Sequence, residues 1–329
     1  MASVYTSNIA QKLLIDPVFE GANKLCIMVH EATPTMASWL LAYYGDKDNY
    51  IENISIELMI TFTEDMGMPT ILEINHNGFE SLHKKFRTGN NTFSCSYFYG
   101  RSIPKRNLYI WVRDGRPYKA FTCSYDFTQP SILRDGSGSI SNSNPDTAYG
   151  RFLRAVDESI YCDNSEVEDF VLISQTELPV ISDIDKNDKN LVTLSLVTKR
   201  TDEPGKKSGL NWGQRKGRNP NEAYIPLPKK IAESGFFPLD GKQFLVVTDD
   251  HHTILLRVEQ QDDKAITTPD SNAQIGEYFR NRLGLANGVH VTRANLEAYG
   301  RTDVSFYKID DEQYYMDFSV AGGRHRRNG

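Results

Sequence analysis

The sequence predicts an α/β domain followed by a mostly-β barrel, and three observations carry that reading. Short apolar runs alternate with helical patterns through the first half of the chain. Short strand-like runs separated by turn residues fill the second half. Between the two, Asp163 to Asn190 is rich in Asp, Glu and Asn, which marks a connection and not a core. At 329 residues the chain is long enough for two domains, each with its own core. The expected boundaries are 1–165 for the first domain, 166–188 for the linker and 189–329 for the second.

In the first domain, KLCIMV (Lys24 to Val29) reads as a buried strand and PTMASWLLAYY (Pro34 to Tyr44) as an apolar helix. ISIELMITF (Ile54 to Phe62) is a second strand, and Phe79 to Phe86 is a short amphipathic helix with Phe79, Leu82 and Phe86 on one side. Leu108 to Val112 and Lys119 to Ser124 flank Asp114-Gly115, a strong hairpin signal. Gly136 to Pro145 (GSGSISNSNP) is poor in apolar residues and is expected to be a flexible surface loop. A helix is expected over Tyr149 to Tyr161.

In the second domain the expected strands are Leu191 to Val197, Ala223 to Leu227, Gln243 to Val247, Thr253 to Glu259, Val304 to Ile309 and Tyr314 to Phe318. Two short helices interrupt them, Gln274 to Leu283 and Thr292 to Tyr299, the latter N-capped by Thr292 and closed by Gly300. An antiparallel barrel is the economical fold, since closure removes exposed edges.

Charged residues at 24% and apolar residues at 39% are near the globular norm. No run approaches the length of a membrane span, and MASVYTSNIAQ has no basic stretch leading into an apolar core, so a soluble cytoplasmic protein without membrane association is expected. Cys26, Cys95, Cys123 and Cys162 are widely spaced, which suits reduced, packed thiols better than zinc or disulfides.

The chain is organised around Gly209 to Pro228. From Lys206 to Lys230 there are seven cationic side chains and one acid, Glu222, a local charge of +6 in a protein whose net charge is −6, so the remainder carries −12. Such a compact positive region is a local device. Among the cations Arg215, Lys216 and Arg218 stand the planar amides Asn211, Gln214, Asn219 and Asn221, with Trp212 and Tyr224 as aromatic supports. Arg matches guanine, Asn and Gln match adenine, and Lys meets phosphate, so the inventory suits reading a duplex. The plain alternative is a solvated basic loop.

The runs SGLNWGQRKGRNPNEAYIPLP, FFP, TDD, DSNAQIGEYFRNRLGL and VTRANLEAYGRTDVSFYKIDDEQYYMDFS, spanning roughly 189 to 319, resemble the DNA-reading domain of the NgoFVII-type restriction endonucleases. That domain is similar to the plant B-three pseudobarrel, whose two arms grip the major groove. The resemblance implies a first arm over Asn211 to Tyr224 and a second over Asp270 to Arg282. Ser271, Asn272, Arg280 and Arg282 then join Asn211, Gln214, Arg215, Lys216, Arg218, Asn219 and Asn221 as candidate DNA contacts. Arg293 and Arg301 are weaker candidates for phosphate. Core packing is the expected role of Trp212, Tyr224, Tyr278 and Phe279.

The first half resembles the phospholipase-D-like nuclease domain that usually precedes this reader, through ISIELMITF, LYIWV, the Asp-Gly turn and KAFTCSYDFT. In that family a histidine attacks phosphorus without metal, a lysine two residues on stabilises the phosphate oxygens, and a dimer supplies a second histidine as the acid. The positions of this His-x-Lys hold Lys105, Arg106 and Asn107 here, and the following Gly-Ser-x-Asn-x-Thr pattern reads Cys123-Ser124-Tyr125-Asp126-Phe127-Thr128. An amine with an ordinary pKa of about 10.4 is protonated and a poor nucleophile, and asparagine carries no charge. Asp135 lies near where a family acid would fall. His83-Lys84-Lys85 also spells His-x-Lys but sits on the Phe79 to Phe86 helix, an accidental match being the plainer reading. His30-Glu31 lacks the second histidine of a zinc helix, and His251-His252 lies in an acidic turn.

No metal or organic cofactor is expected. The expected partners are double-stranded DNA, a second copy of the chain through the first domain, and a helicase, ATPase or methyltransferase of a restriction system for phage defence. Two readings stay open: sequence-specific DNA recognition with a nuclease fold that has lost its chemistry, and an active metal-independent endonuclease using displaced residues or a partner.

Overall fold

The computed structural model describes residues 8–49, 51–62, 68–101, 105–134, 139–175, 177–185 and 187–320, which fall into two compact units that divide at 176/177.

The first unit contains β1 (Lys24–Val29), β2 (Ser55–Ile60), β3 (Thr70–Leu72), β4 (Thr92–Phe98), β5 (Asn107–Arg113), β6 (Arg116–Cys123), β7 (Ile140–Ser143), β8 (Ser159–Tyr161) and β9 (Leu172–Ser174). Seven of these form one sheet in the order β7-β6-β5-β1-β2-β4-β8, while β3 and β9 pair with each other. The centre β1, β2 and β4 is parallel, and β5 runs antiparallel to β1. KLCIMV is apolar throughout because both faces of β1 are covered. Leu25, Ile27 and Val29 share a core with Trp39 and Leu40 of the helix Pro34–Gly45 and Phe79 of the helix Glu73–Lys85. Cys26 and Met28 instead join Phe152 of the helix Pro145–Val156. The β5–β6 hairpin turns at Asp114 and Gly115, both with positive φ (50° and 75°), as its sequence predicts.

β4, a central strand of the sheet, has no counterpart among the expected elements, nor have β3, β8 and β9, and three further elements depart from expectation. The helix ending at Lys85 starts at Glu73, because Ile74, Gly78 and Leu82 continue the buried stripe toward the N-terminus. Within the expected loop 136–145, Ile140–Ser143 forms β7, whose backbone pairs with β6 although three of its four side chains are polar. The next helix begins at Pro145, since Asn144 Oδ1 accepts a hydrogen bond from the Thr147 amide (2.9 Å), and ends at Val156 before β8. Asp135 lies outside the described residues.

The second unit contains β10 (Leu191–Ser195), β11 (Ile225–Pro226), β12 (Gln243–Thr248), β13 (Thr253–Glu259), β14 (Ala265–Thr267), β15 (Asp303–Lys308) and β16 (Gln313–Asp317). They form one sheet in the order β10-β15-β16-β12-β13-β14-β11, curled into a nearly closed barrel. All neighbours are antiparallel except β12 and β16. Phe236, Phe237, Phe244, Phe306 and Tyr314 pack together inside it, and the Tyr314 hydroxyl donates to the Phe236 carbonyl (2.5 Å). β14 was not foreseen, being a three-residue run, and it reduces the expected strand at 223–227 to the two residues that pair with it. The helices are Ala273–Arg282 and Arg293–Tyr299; Thr292 and Asn295 form a reciprocal cap on the second, and Gly300 closes it.

Candidate nucleic-acid interface

The first arm doubles back on itself over residues 209–224. A tight turn at its tip is closed by the Arg218 amide donating to the Arg215 carbonyl (3.3 Å), with Gly217 in the left-handed region (φ 83°). At the base the Gly213 amide donates to Glu222 (2.7 Å) and the Tyr224 amide to Gly209 (3.2 Å). The helix Ala273–Arg282 packs so closely on this base that a Cβ at Gly276 would stand 1.7 Å from the Asn221 carbonyl oxygen.

The expected contacts divide by exposure. Arg215, Lys216, Arg218 and Asn219 are exposed at the tip. Among the described residues, Lys216 and Arg215 pair with no acid; Arg215 Nε donates to the Lys207 carbonyl (2.9 Å). Arg218 lies over the Trp212 ring, 3.9 Å from its centroid, and bonds Glu222 (2.7 Å). The Asn219 carboxamide oxygen accepts from the Asn221 amide (3.0 Å). Ser271 is exposed before the second arm's helix.

The remaining candidates face inward. Asn211 is buried, with both ends of its amide on the backbone of Val291 at 2.8 Å. Gln214 donates to the carbonyls of Gly288 (3.0 Å) and Pro220 (3.3 Å). Asn221 is buried, donating to Glu277 (3.0 Å) and accepting from the Gly288 amide (2.6 Å). Arg280, expected at the DNA, is 0% exposed and donates to five carbonyls, those of Val289, Asn221, Gly276, Leu210 and Pro220, at 2.8–3.4 Å. Burial lowers its pKa from the ordinary guanidinium range. Arg282 is held by Asp249 (2.9 and 2.6 Å), Asp250 (3.0 Å) and the hydroxyls of Tyr278 and Tyr299. The same pairing engages the acidic turn next to His251 and His252. The Asn272 carbonyl ties to the Ala223 amide (2.9 Å), while its side-chain oxygen is buried without a partner. Arg293 pairs with Asp202 and Glu297, and Arg301 with Asp303 and Asp317. As expected, Tyr278 and Phe279 are core residues, whereas Trp212 and Tyr224 are half-buried against each other.

In the first unit, Lys105 and Arg106 are exposed just before β5, and Asn107 is its buried first residue. Asn107 Oδ1 accepts from the His30 amide (3.0 Å), and its Nδ2 donates to Asp126 Oδ1 (2.9 Å). Asp126 also accepts from the Glu31 amide (3.3 Å), so this pair fastens the end of β1. Ser124 is exposed, and Thr128 caps the helix Gln129–Ile132. The His30 ring is half-buried, with Nδ1 3.1 Å from the Phe62 carbonyl and 3.2 Å from Thr61 Oγ1. Phe62 holds the left-handed conformation (φ 55°), which is costly for an aromatic residue. Nothing in the sequence around His30-Glu31 marks this ring, because the carbonyl it faces lies 32 residues away at Phe62.

His83 is buried instead of lying on an open helix face. Its Nδ1 is 3.5 Å from both Cys162 Sγ and the Cys95 amide, and 3.8 Å from Asp163. Hydrogen bonds from Cys95 and His83 hold the Cys162 thiol below its ordinary pKa range. Among the described residues no group of three or more His, Cys, Asp or Glu side chains is arranged to hold a metal ion, and no helix is long and apolar enough to cross a membrane.

Residues 7–169 match the NgoFVII restriction endonuclease N-terminal PLD domain, and residues 185–310 match the NgoFVII C-terminal B3-like DNA-binding domain. The chain belongs to the NgoFVII restriction endonuclease family. Its two units are thus a phospholipase-D-like α/β domain and a B3-like barrel built to bind DNA. No curated protein matches the chain.

Proposed function

We propose that this NgoFVII-family protein recognises a specific sequence in double-stranded DNA through the arm tip at Arg215, Lys216, Arg218 and Asn219, with Ser271 contributing from the second arm. The observation that carries this is a set of exposed cations grouped on one turn of a protein that is otherwise acidic, of which Arg215 and Lys216 pair with no acid among the described residues and Arg218 only with Glu222 at the surface. Trp212 gives Arg218 a rigid support, which suits base reading better than a free side chain would. The first unit acts in this reading as a dimerisation or docking scaffold in a cytoplasmic restriction system for phage defence, alongside a helicase, ATPase or methyltransferase. Lys105 stands where the family places its histidine nucleophile, and the Asn107 amide is engaged by Asp126 and the end of β1.

Cleavage by displaced residues is the second reading, and His30 favours it. Its Nδ1 faces the Phe62 carbonyl, and Nε2 makes no hydrogen bond among the described residues. The buried ring of His83 has no such freedom.

A supercoiled-plasmid assay with the pure protein, with and without divalent metal, run beside selection from random duplexes, separates the readings. Binding without cleavage is the expected result. Nicking that disappears in His30→Ala would replace the scaffold reading with the second. Light scattering is expected to give a dimer; a monomer at micromolar concentration would count against that role.

A further inference from the structure

Four of the residues whose chemistry suits base reading turn inward onto one short segment. Asn211 holds both the amide and the carbonyl of Val291. Gln214 takes the carbonyl of Gly288, and Asn221 its amide. Arg280 Nε takes the carbonyl of Val289 (2.8 Å). The loop 286–291 therefore has its backbone fixed by side chains from both arms. Pro220 abuts it so closely that a Cβ on Gly288 would be 3.1 Å from the proline ring.

The segment repeats the build of the arm tip. The Val289 amide donates to the Ala286 carbonyl (3.2 Å), and Gly288 adopts φ 78°, just as Gly217 does at 83°. Its Asn287 and His290 side chains are exposed, and Val289 is 41% exposed. No acidic residue occurs between Leu283 and Val291, in a chain with 43 acids. A surface loop needs no such anchoring to remain folded, and buried polar networks of this kind hold a unique conformation at a stability cost when incomplete.

Resting on the reading of the arm tip as the DNA-contacting surface, we infer that the loop 286–290 is a third DNA-contacting element, held beside that tip by Asn211, Gln214, Asn221 and Arg280. Asn287 offers a donor and an acceptor for a base edge, His290 offers ring nitrogens for a base or phosphate, and Val289 offers an apolar surface such as a thymine methyl group accepts. Asn287 and Val289 are uncharged, so this element supplies specificity and not salt-dependent attraction.

The test uses the full-length protein and the duplex it selects from a random pool. Dissociation constants are measured for wild type, Asn287→Ala, the Asn287→Ala/His290→Ala pair and Lys216→Ala, on the selected and on a scrambled duplex, with thermal unfolding alongside. Every anchoring bond goes to backbone atoms, so the alanine variants should melt with the wild type. The double variant is expected to bind the selected duplex about tenfold or more weakly, with little change on the scrambled one. Asn287→Ala should leave the slope of log K against log salt unchanged. Wild-type affinity in the double variant, where Lys216→Ala is weakened, would overturn the inference while sparing the arm tip. Lost affinity accompanied by a melting point several degrees lower would also overturn it, as the loop would then be a buttress. If Lys216→Ala and the double variant both bind like wild type, the arm-tip reading fails and this inference with it.

Discussion

The two halves of the first arm carry nearly the same chemistry in opposite surroundings. At the tip, Arg215, Lys216, Arg218 and Asn219 are open to solvent; at the base, Asn211, Gln214 and Asn221, joined by Arg280 from the second arm, face carbonyls and amides of the protein itself. A carboxamide or guanidinium fork that fits a base edge fits a peptide group just as well. Residue type therefore marks this arm as polar and specific, and burial decides whether the specificity is directed inward or outward.

The sharpest break of this comparison is Arg280→Met, which takes the Arg280 donor from five carbonyl oxygens around a fully buried side chain, of which Pro220 keeps the Gln214 amide. We expect about 3 kcal/mol or more of lost stability, read from denaturant unfolding of the barrel unit. A loss below about 1 kcal/mol would mean that Arg280 is no strut. Asn211→Ala is expected to follow at about 2 kcal/mol, since it strands one amide and one carbonyl of Val291.

Arg218→Ala should behave in the opposite way. Its pair with Glu222 lies at the surface, and exposed pairs of this kind contribute about 0–1 kcal/mol, so unfolding should shift little. Binding to the preferred duplex should weaken by about 1–3 kcal/mol, with relaxed specificity at one position. A variant that binds like wild type but unfolds early would move Arg218 from the outward set to the inward one.

Strand positions in both units were legible because they follow from apolar runs and turn chemistry, as at KLCIMV and Asp114-Gly115. β4 has no counterpart among the expected strands although TFSCSYF alternates polar and apolar residues, and the short β7 and β14 were not legible, since only Ile140 of Ile140–Ser143 is apolar, its backbone being placed by its neighbour, and β14 spans three residues. Asn144-Pro145 was a readable cap that the helix prediction passed over. At the interface the sequence identified the arm and its charge, while the fate of Arg280 depended on long-range contacts reaching residues 70 positions away. The Asn287-Gly288 turn signal was also present, but nothing local tells that four distant side chains converge on it.

Lys216 gives the smallest and most selective effect. It sits exposed at the second position of the tip turn and pairs with no acid among the described residues, so removing it disturbs nothing inside the barrel. A flexible ammonium with three donors suits a phosphate better than a base edge, which calls for the planar fork of the flanking arginines. Lys216→Ala should therefore weaken selected and scrambled duplexes by the same factor and lower the slope of log K against log salt by about 0.9, the release of one counterion. A loss confined to the selected duplex, with the slope unchanged, would make Lys216 a reader instead. The tip would then consist of sequence-reading groups alone, and its attraction to the backbone would have to come from Lys206, Lys207 and Lys230, which are exposed elsewhere in the same basic window.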